Sequence, residues 1–183
     1  MAATVVINRW TGSSGSPTKT AIQSINTVAN TTDTHQATAS SSTNPIKIPS
    51  AGTKYSFWVV TRLNATVTPA GTIDNLRWYS DGTNNFGTGL TCVGNTATTY
   101  VQATGTAGDT GDQLTTGNYT TLAATPVNVF TLTSGSPKAV TGSIVNPSTG
   151  DFGDFLVYQI EVATSASPGV TGQETFTWLY DET

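Results

Sequence analysis

Threonine fills about a fifth of the 183 positions in this chain, and no other feature restricts its fold as strongly. Threonine is β-branched, so its side chain is stiff at the first torsion and packs well on a pleated surface. The charged residues that help to build helices are scarce: they make up 10% of the chain, against about 25% in an average domain. No stretch of about ten residues repeats apolar side chains at the helical period. The sequence therefore predicts strands rather than helices.

Short β-forming runs recur along the chain and are separated by Gly, Pro and Asn. The strongest is residues 54–65, where aromatic and aliphatic side chains occupy both faces of a predicted strand. The other predicted strands are residues 1–10, 20–28, 72–80, 89–93, 98–103, 127–133, 155–164 and 175–180. This spacing is typical of an all-β protein, an antiparallel β-sandwich or jelly roll of about 8–10 strands.

The chain is long enough for one sizeable core, and one sandwich domain is expected over residues 51–183. Residues 1–50 begin with the opening strand and continue as a polar stretch. Residues 30–44 carry too little apolar surface to order themselves. We expect residues 1–50 to form a strand and a polar arm that packs on the sandwich or on a neighbouring molecule.

The charge pattern argues against several classes of partner. The net charge is −4, and no cluster of Lys or Arg is present that would follow a phosphate backbone, so we expect no nucleic-acid partner. No apolar stretch approaches the ~20 residues of a spanning helix, and we expect no membrane partner. The N-terminus lacks the basic leader and apolar core of a signal peptide. Cys92, the single cysteine, is expected to be a small buried residue.

Catalytic groups are not evident in the sequence. His35 is the sole histidine and lies in the polar, loop-like stretch, where no nucleophile is set to be activated by it. Glu161 and Glu174 are the glutamates inside the predicted sheet region, but both lie beside aromatic residues, as interface residues also do. One Cys and one His cannot complete a zinc site. We therefore predict that the protein is not an enzyme and has no cofactor.

Calcium is the one ion that the loops leave open. Asp81, Asn84, Asp151 and Asp154 lie in glycine-containing loops and offer the oxygen ligands that Ca²⁺ prefers. Calcium requires about six to eight converging oxygens, however, and Asp and Asn in such loops also form turns with their own backbone. These four residues are weak calcium candidates.

Tryptophan and a few polar side chains are the candidates for contact with a partner. Most of the four tryptophans lie in well-patterned strands, which favours a core role, with one or two left to anchor an interface. The candidate interface residues are Trp10, His35, Asn84, Asp154 and Trp178.

Three segments resemble the β-sandwich structural proteins of tailed-bacteriophage virions: residues 72–87 (TIDNLRWYSDGTNNFG), 150–155 (GDFGDF) and 172–182 (GQETFTWLYDE). The similarity covers mainly residues 54–183. It implies a capsid decoration or cement protein that forms a trimer or dimer and docks onto the major capsid protein or other virion proteins. It also implies synthesis in the host cytoplasm without a signal peptide, and a final location in the virion.

A charge-poor surface rich in Thr, Ser and Asn suits a cement protein, because many weak polar contacts repeated across a lattice add up to firm binding. Two alternatives remain open. One is a glycan-binding module or fibre-tip adhesin, which exposed Trp or Tyr side chains beside Asp81 and Asn84 would favour. The other is a tail-tube or other tail structural component.

Overall fold

The computed structural model describes residues 2–23, 25–38 and 43–183, and in these ranges the chain forms antiparallel strands and no α-helix. One 3-10 turn, Val129–Thr131, follows β9. The strands are β1 (Thr4–Thr11), β2 (Thr18–Ala21), β3 (Thr53–Tyr55), β4 (Val59–Val67), β5 (Thr72–Ser80), β6 (Leu90–Ala97), β7 (Gly105–Thr106), β8 (Thr110–Gly111), β9 (Val127–Asn128), β10 (Lys138–Val140), β11 (Ile144–Val145), β12 (Gly150–Ala163) and β13 (Phe176–Glu182). The all-β prediction is confirmed; the jelly-roll path stays a prediction.

Two sheets form the sandwich. The large sheet has the strand order β2-β1-β4-β12-β6-β9, and β3 also pairs with β12. The small sheet is built around β5, which pairs with β13 along one edge and with β10 and β11 along the other. Strands β7 and β8 form a separate hairpin. The 14-residue strand β12 is the longest, and it binds β3, β4 and β6.

The main core lies between the two sheets. Leu156, Tyr158 and Ile160 are alternate residues of β12 and face this core, as a strand with a two-residue period requires. Trp78 of the small sheet is buried against them and stacks on Tyr158 with 6.2 Å between ring centroids. Cys92 lies in the same core, fully buried, as expected. Its burial raises the pKa of the thiol, so Cys92 acts as an apolar residue.

A second core covers the opposite face of the large sheet. Phe155 and Val157, the intervening residues of β12, pack there against the long connection between β6 and β9. Tyr119 of that connection is fully buried, and its hydroxyl donates to the Thr99 carbonyl at 3.0 Å. The large sheet is therefore covered on both faces, which explains why segment 54–65 has aromatic residues on both faces.

Several predicted strands differ from the observed ones. Segment 54–65 is divided into β3 and β4, because Phe57 at the break donates its backbone N–H to the Asn30 carbonyl instead of to a neighbouring strand. Residues 98–103 form no strand; Tyr100 and Ala103 are buried in the second core without a strand ladder. Residues 127–133 form only the two-residue β9 and the 3-10 turn. The short strands β10 and β11 were not predicted.

The N-terminal region is built into the sandwich. Strand β1 pairs with both β2 and β4 in the large sheet. Asn30 and Thr31 are buried, and the Thr31 N–H donates to the Asn44 carbonyl at 2.9 Å. Asn30 and Thr31 are therefore part of the folded structure. Residues 39–42 of the predicted polar arm lie outside the described residues.

Gln159 attaches the covering connection to the large sheet. Its side chain is fully buried in the second-core face of β12. The Nε2 atom donates to the carbonyls of Ser56 and Asp112, and Oε1 accepts from the Leu114 N–H, each at 2.7 Å. Every polar atom of the amide is therefore satisfied, as a buried polar group must be if its burial is not to destabilise the fold.

Replacing Gln159 with leucine should lower the free energy of unfolding by about 2–4 kcal/mol, since three hydrogen bonds are lost and the buried Leu114 N–H keeps no partner. Urea denaturation measures this. The matched control is Gln113→Leu, at an exposed position of the same connection, where a change within about 0.5 kcal/mol is expected. Equal losses in the two variants would contradict the role assigned to Gln159.

Candidate interaction surface

The outer face of the small sheet carries a group of side chains that the rest of the described chain leaves accessible. Arg77 lies directly opposite Leu179, and Tyr79 lies opposite Thr177, and residues opposite one another in an antiparallel pair share a face. Trp78 points into the main core, so its neighbours point outward. We call this surface the outer patch; its residues are Asn75, Arg77, Tyr79, Thr177, Leu179 and Asp181.

Hydrogen bonds fix the polar part of the outer patch. Asp181 accepts from Arg77 Nη2 at 3.0 Å and from Asn75 Nδ2 at 2.6 Å. Arg77 Nε also donates to the Asn75 carbonyl at 3.2 Å. Asn75 has a φ of 50°, a left-handed conformation that asparagine tolerates better than most residues. Since the carboxylate of Asp181 balances the guanidinium of Arg77, this network carries no net charge.

The apolar part of the outer patch is Leu179, which is 41% exposed, together with the half-buried ring of Tyr79. Tyrosine and arginine are the residue types that most often contribute strongly to protein interfaces, because a large rigid side chain buries area at low entropic cost. A neutral polar network beside an apolar anchor is the composition of a protein-binding surface with little charge.

Strand β13 also forms an edge of the small sheet. Among the described strands it pairs only with β5, so one row of its backbone N–H and C=O groups faces away from the sheet. Hydrogen bonds hold the C-terminal end of β13 in place. Thr72 and Thr183 exchange two backbone hydrogen bonds of 2.9 Å, and the Glu182 carboxylate accepts from the N–H groups of Ala3 and Ala70. The outer patch therefore continues into a fixed strand edge.

The structure places both candidate interface tryptophans against a core. Trp10 is 9% exposed and packs edge-on against Phe155 with 4.9 Å between ring centroids. Lys19 covers its ring at 4.3 Å, and its indole N–H has no partner among the described residues. Trp178 is half-buried and packs on the inner side of β13.

Asp81 and Asn84 stabilise turns in their own loop. Asp81 Oδ1 accepts from the Thr83 N–H at 2.8 Å, and Asn84 Oδ1 accepts from the Phe86 N–H at 3.1 Å. Asn84 Nδ2 donates to the Leu90 carbonyl at 2.8 Å. Both side chains are thus engaged in turn formation, the local role open to Asp and Asn.

Asp151 and Asp154 lie at the start of β12. Asp151 forms an ion pair with Lys19 and accepts from Asn64 Nδ2 at 2.7 Å. Asp154 is half-buried near Arg62, and burial raises the pKa of its carboxyl, an effect that the charge of Arg62 opposes. Within the described ranges no three His, Cys, Asp or Glu side chains come close enough to hold a metal ion.

His35 lies close to a buried arginine. Arg9 is 1% exposed; its Nη1 donates to Thr27 Oγ1 at 2.6 Å and to the Val28 carbonyl at 3.1 Å. Neither ring nitrogen of His35 has a partner in the described part of the chain. Burial and the charge of Arg9 lower the pKa of His35, whereas burial raises the pKa of the neighbouring carboxyl of Asp33. Both effects therefore favour the uncharged form of His35.

The free energy of unfolding should fall as the pH falls through about 6.5, because the unfolded chain then binds a proton at His35 more readily than the folded chain does. In the variant His35→Gln this contribution is absent, so its stability should depend less steeply on pH between about 7.5 and 5. Urea denaturation over this range measures the difference. Arg9, whose charge acts on His35, is unchanged in both proteins. Identical pH slopes would therefore contradict a lowered pKa of His35 in the folded chain.

The outer-patch residues were not singled out from the sequence. The available signal was their alternation with two inward tryptophans, Trp78 and Trp178, in the predicted strands 72–80 and 175–180. That alternation predicts which side chains share a face, but not whether another segment covers them. Coverage depends on contacts between residues that are distant in sequence.

No protein-family model, curated protein or solved structure matches this chain. Across residues 2–23, 25–38 and 43–183, no helix is long and apolar enough to cross a bilayer. The function is therefore inferred from the chain's own geometry, above all from the outer patch.

Proposed function

We propose that this protein is a non-enzymatic structural component of a bacteriophage virion, which decorates or cements the capsid through the outer patch. One observation carries this proposal: the large sheet is covered on both faces, while the small sheet leaves its outer face accessible. A rigid sheet face is a suitable docking surface because little conformational entropy is lost when it binds.

The chemistry of the outer patch fits a partner contacted many times across a lattice. Leu179 and Tyr79 supply apolar area, while Asp181 neutralises Arg77 so that no charge must be desolvated alone. Only 10% of the chain is charged, which favours hydroxyl and amide contacts. Each contact is weak, and simultaneous engagement of several copies supplies the firm attachment.

The proposed partners are the major capsid protein or other virion proteins. A trimer or dimer of this chain would present several outer patches at once, and the free edge of β13 offers a place for copies to pair. The proposed location is the virion, after synthesis in the host cytoplasm.

The double substitution Tyr79→Ala with Leu179→Ser should weaken binding to expanded capsids of the phage that encodes the chain by at least about tenfold, because both apolar anchors are lost. Co-sedimentation of the purified protein with capsids measures this. The matched control is Thr116→Ala, at an exposed position of the connection that covers the other side of the large sheet, and it should bind like the unchanged protein.

Size-exclusion chromatography, a glycan array and negative-stain microscopy distinguish a capsid protein from an adhesin and from a tail component. A monomer that does not sediment with capsids would contradict the proposal. Specific hits on a glycan array that persist in the double variant would favour an adhesin, and rings or tubes in negative stain would favour a tail component. Equal capsid binding by the double variant and the Thr116→Ala control would show that another surface makes the contact.

A further inference from the structure

A cavity of about 450 Å³ lies between the two sheets, where residues of β1 and β12 and residues of β5 and β13 line it. Its floor includes Ile7 of β1 and Ile160 of β12, and its roof includes Trp178 of β13. Two segments form the walls: residues 22, 23 and 25–29 on one side, and residues 169–175 on the other. The volume falls in the range of about 300–1,000 Å³ that is typical of small-molecule sites.

Hydrogen bonds hold both walls in place. On one side Arg9 donates to Thr27 and Val28, and the Ile22 N–H donates to the Ile7 carbonyl at 2.8 Å. On the other side the carboxylate of Glu174 accepts from the backbone N–H of Asn85. The cavity is therefore preformed, and a ligand would not need to order its walls.

Aromatic rings dominate the inner end of the cavity. Trp78, Tyr158 and Phe176 contact one another with centroid distances of 6.2 Å, 4.8 Å and 5.1 Å, and all three line the space. At the rim, Ile25 is 48% exposed and Val170 is 75% exposed. Apolar residues thus continue from the aromatic end to solvent, as expected for the entrance to an apolar ligand site.

Two residues of the lining carry a hydrogen-bond donor at the inner end of the cavity. Neither the Tyr158 hydroxyl nor the Trp78 indole N–H donates a hydrogen bond to a described residue, although Trp78 is 1% exposed and Tyr158 is 7% exposed. Both residues border the cavity, so a molecule inside it can reach these two groups. Both groups are donors, so a hydrogen-bond acceptor in the cavity would satisfy them.

The charges indicate what kind of molecule fits. Glu174 is the only Asp, Glu, Lys or Arg among the described lining residues, so an anion would meet a like charge at the wall. The guanidinium of Arg9 lies behind the lining, where it already donates to Thr27 and Val28. We propose that this cavity binds a small, uncharged, mainly apolar molecule that carries a hydrogen-bond acceptor. Aromatic or alkyl groups would pack against the rings, and the acceptor would face Tyr158 and Trp78.

Two probes of nearly equal shape test this assignment: 2-acetylnaphthalene, which has a carbonyl acceptor, and 2-ethylnaphthalene, which lacks one. The first should bind saturably with a Kd on the order of 100 μM or tighter, a modest affinity for a molecule of this size. The second should bind about fivefold more weakly, because one hydrogen bond is missing. In Tyr158→Phe this preference should shrink, and an unchanged preference would overturn the role of the hydroxyl.

The four tryptophan indole N–H signals provide an internal control in an NMR titration. Trp78 and Trp178 line the cavity, so their signals should shift with the probe. Trp10 and Trp58 lie in the second core, on the opposite face of the large sheet, and their signals should stay in place. Single Trp→Phe variants assign the four signals. Shifts in the second pair alone, or no saturable shift in any signal, would overturn the proposal.

A filling variant completes the test. Ala29 lines the cavity, and Ala29→Phe should weaken probe binding at least tenfold while the chain stays folded. Ala37→Phe fills the same space from another position and serves if Ala29→Phe does not fold. The matched control is Ala107→Phe, an exposed position outside the cavity lining, which should leave binding unchanged. Unchanged binding in both filling variants would place the probe elsewhere.

Discussion

Strand β12 supplies side chains to two cores at once, and the remainder of the structure depends on this double burial. Leu156, Tyr158 and Ile160 face the small sheet, while Phe155 and Val157 face the covering connection. A strand buried on both faces cannot carry an unsatisfied polar group without a large cost. Gln159 is a fully buried polar residue on the second face of β12. Its three hydrogen bonds satisfy the side-chain amide and attach the connection to the large sheet.

The double coverage of the large sheet determines which surfaces are left for partners. The small sheet has only its inner face buried, so its outer face and the β13 edge are available. The two faces of strand β13 consequently lie in different environments. Trp178 lines the cavity between the sheets, whereas Leu179, the next residue, belongs to the outer patch. Variants of the two sites can therefore be tested independently.

A large part of the fold was predictable, because strand periodicity is a local property. The predicted strand 72–80 coincides with β5, and the opening strand corresponds to β1. The prediction failed where side chains are buried without strand pairing, as in residues 98–103. There Tyr100 and Tyr119 hold the connection between β6 and β9 by packing and by side-chain hydrogen bonds. Aromatic and β-branched residues in such a connection give the same local signal as a strand.

The sequence by itself determined the fold class, the expected burial of Cys92 and the low charge of the surface, because these follow from composition and from a two-residue period. Only the tertiary structure decided which tryptophans are buried, which sheet face stays open and where the walls enclose a cavity. Trp10 and Trp178 both lie in predicted strands, yet one packs in the second core and the other lines the cavity. The physical reason is that each outcome depends on contacts between strands far apart in the chain, which no local pattern encodes.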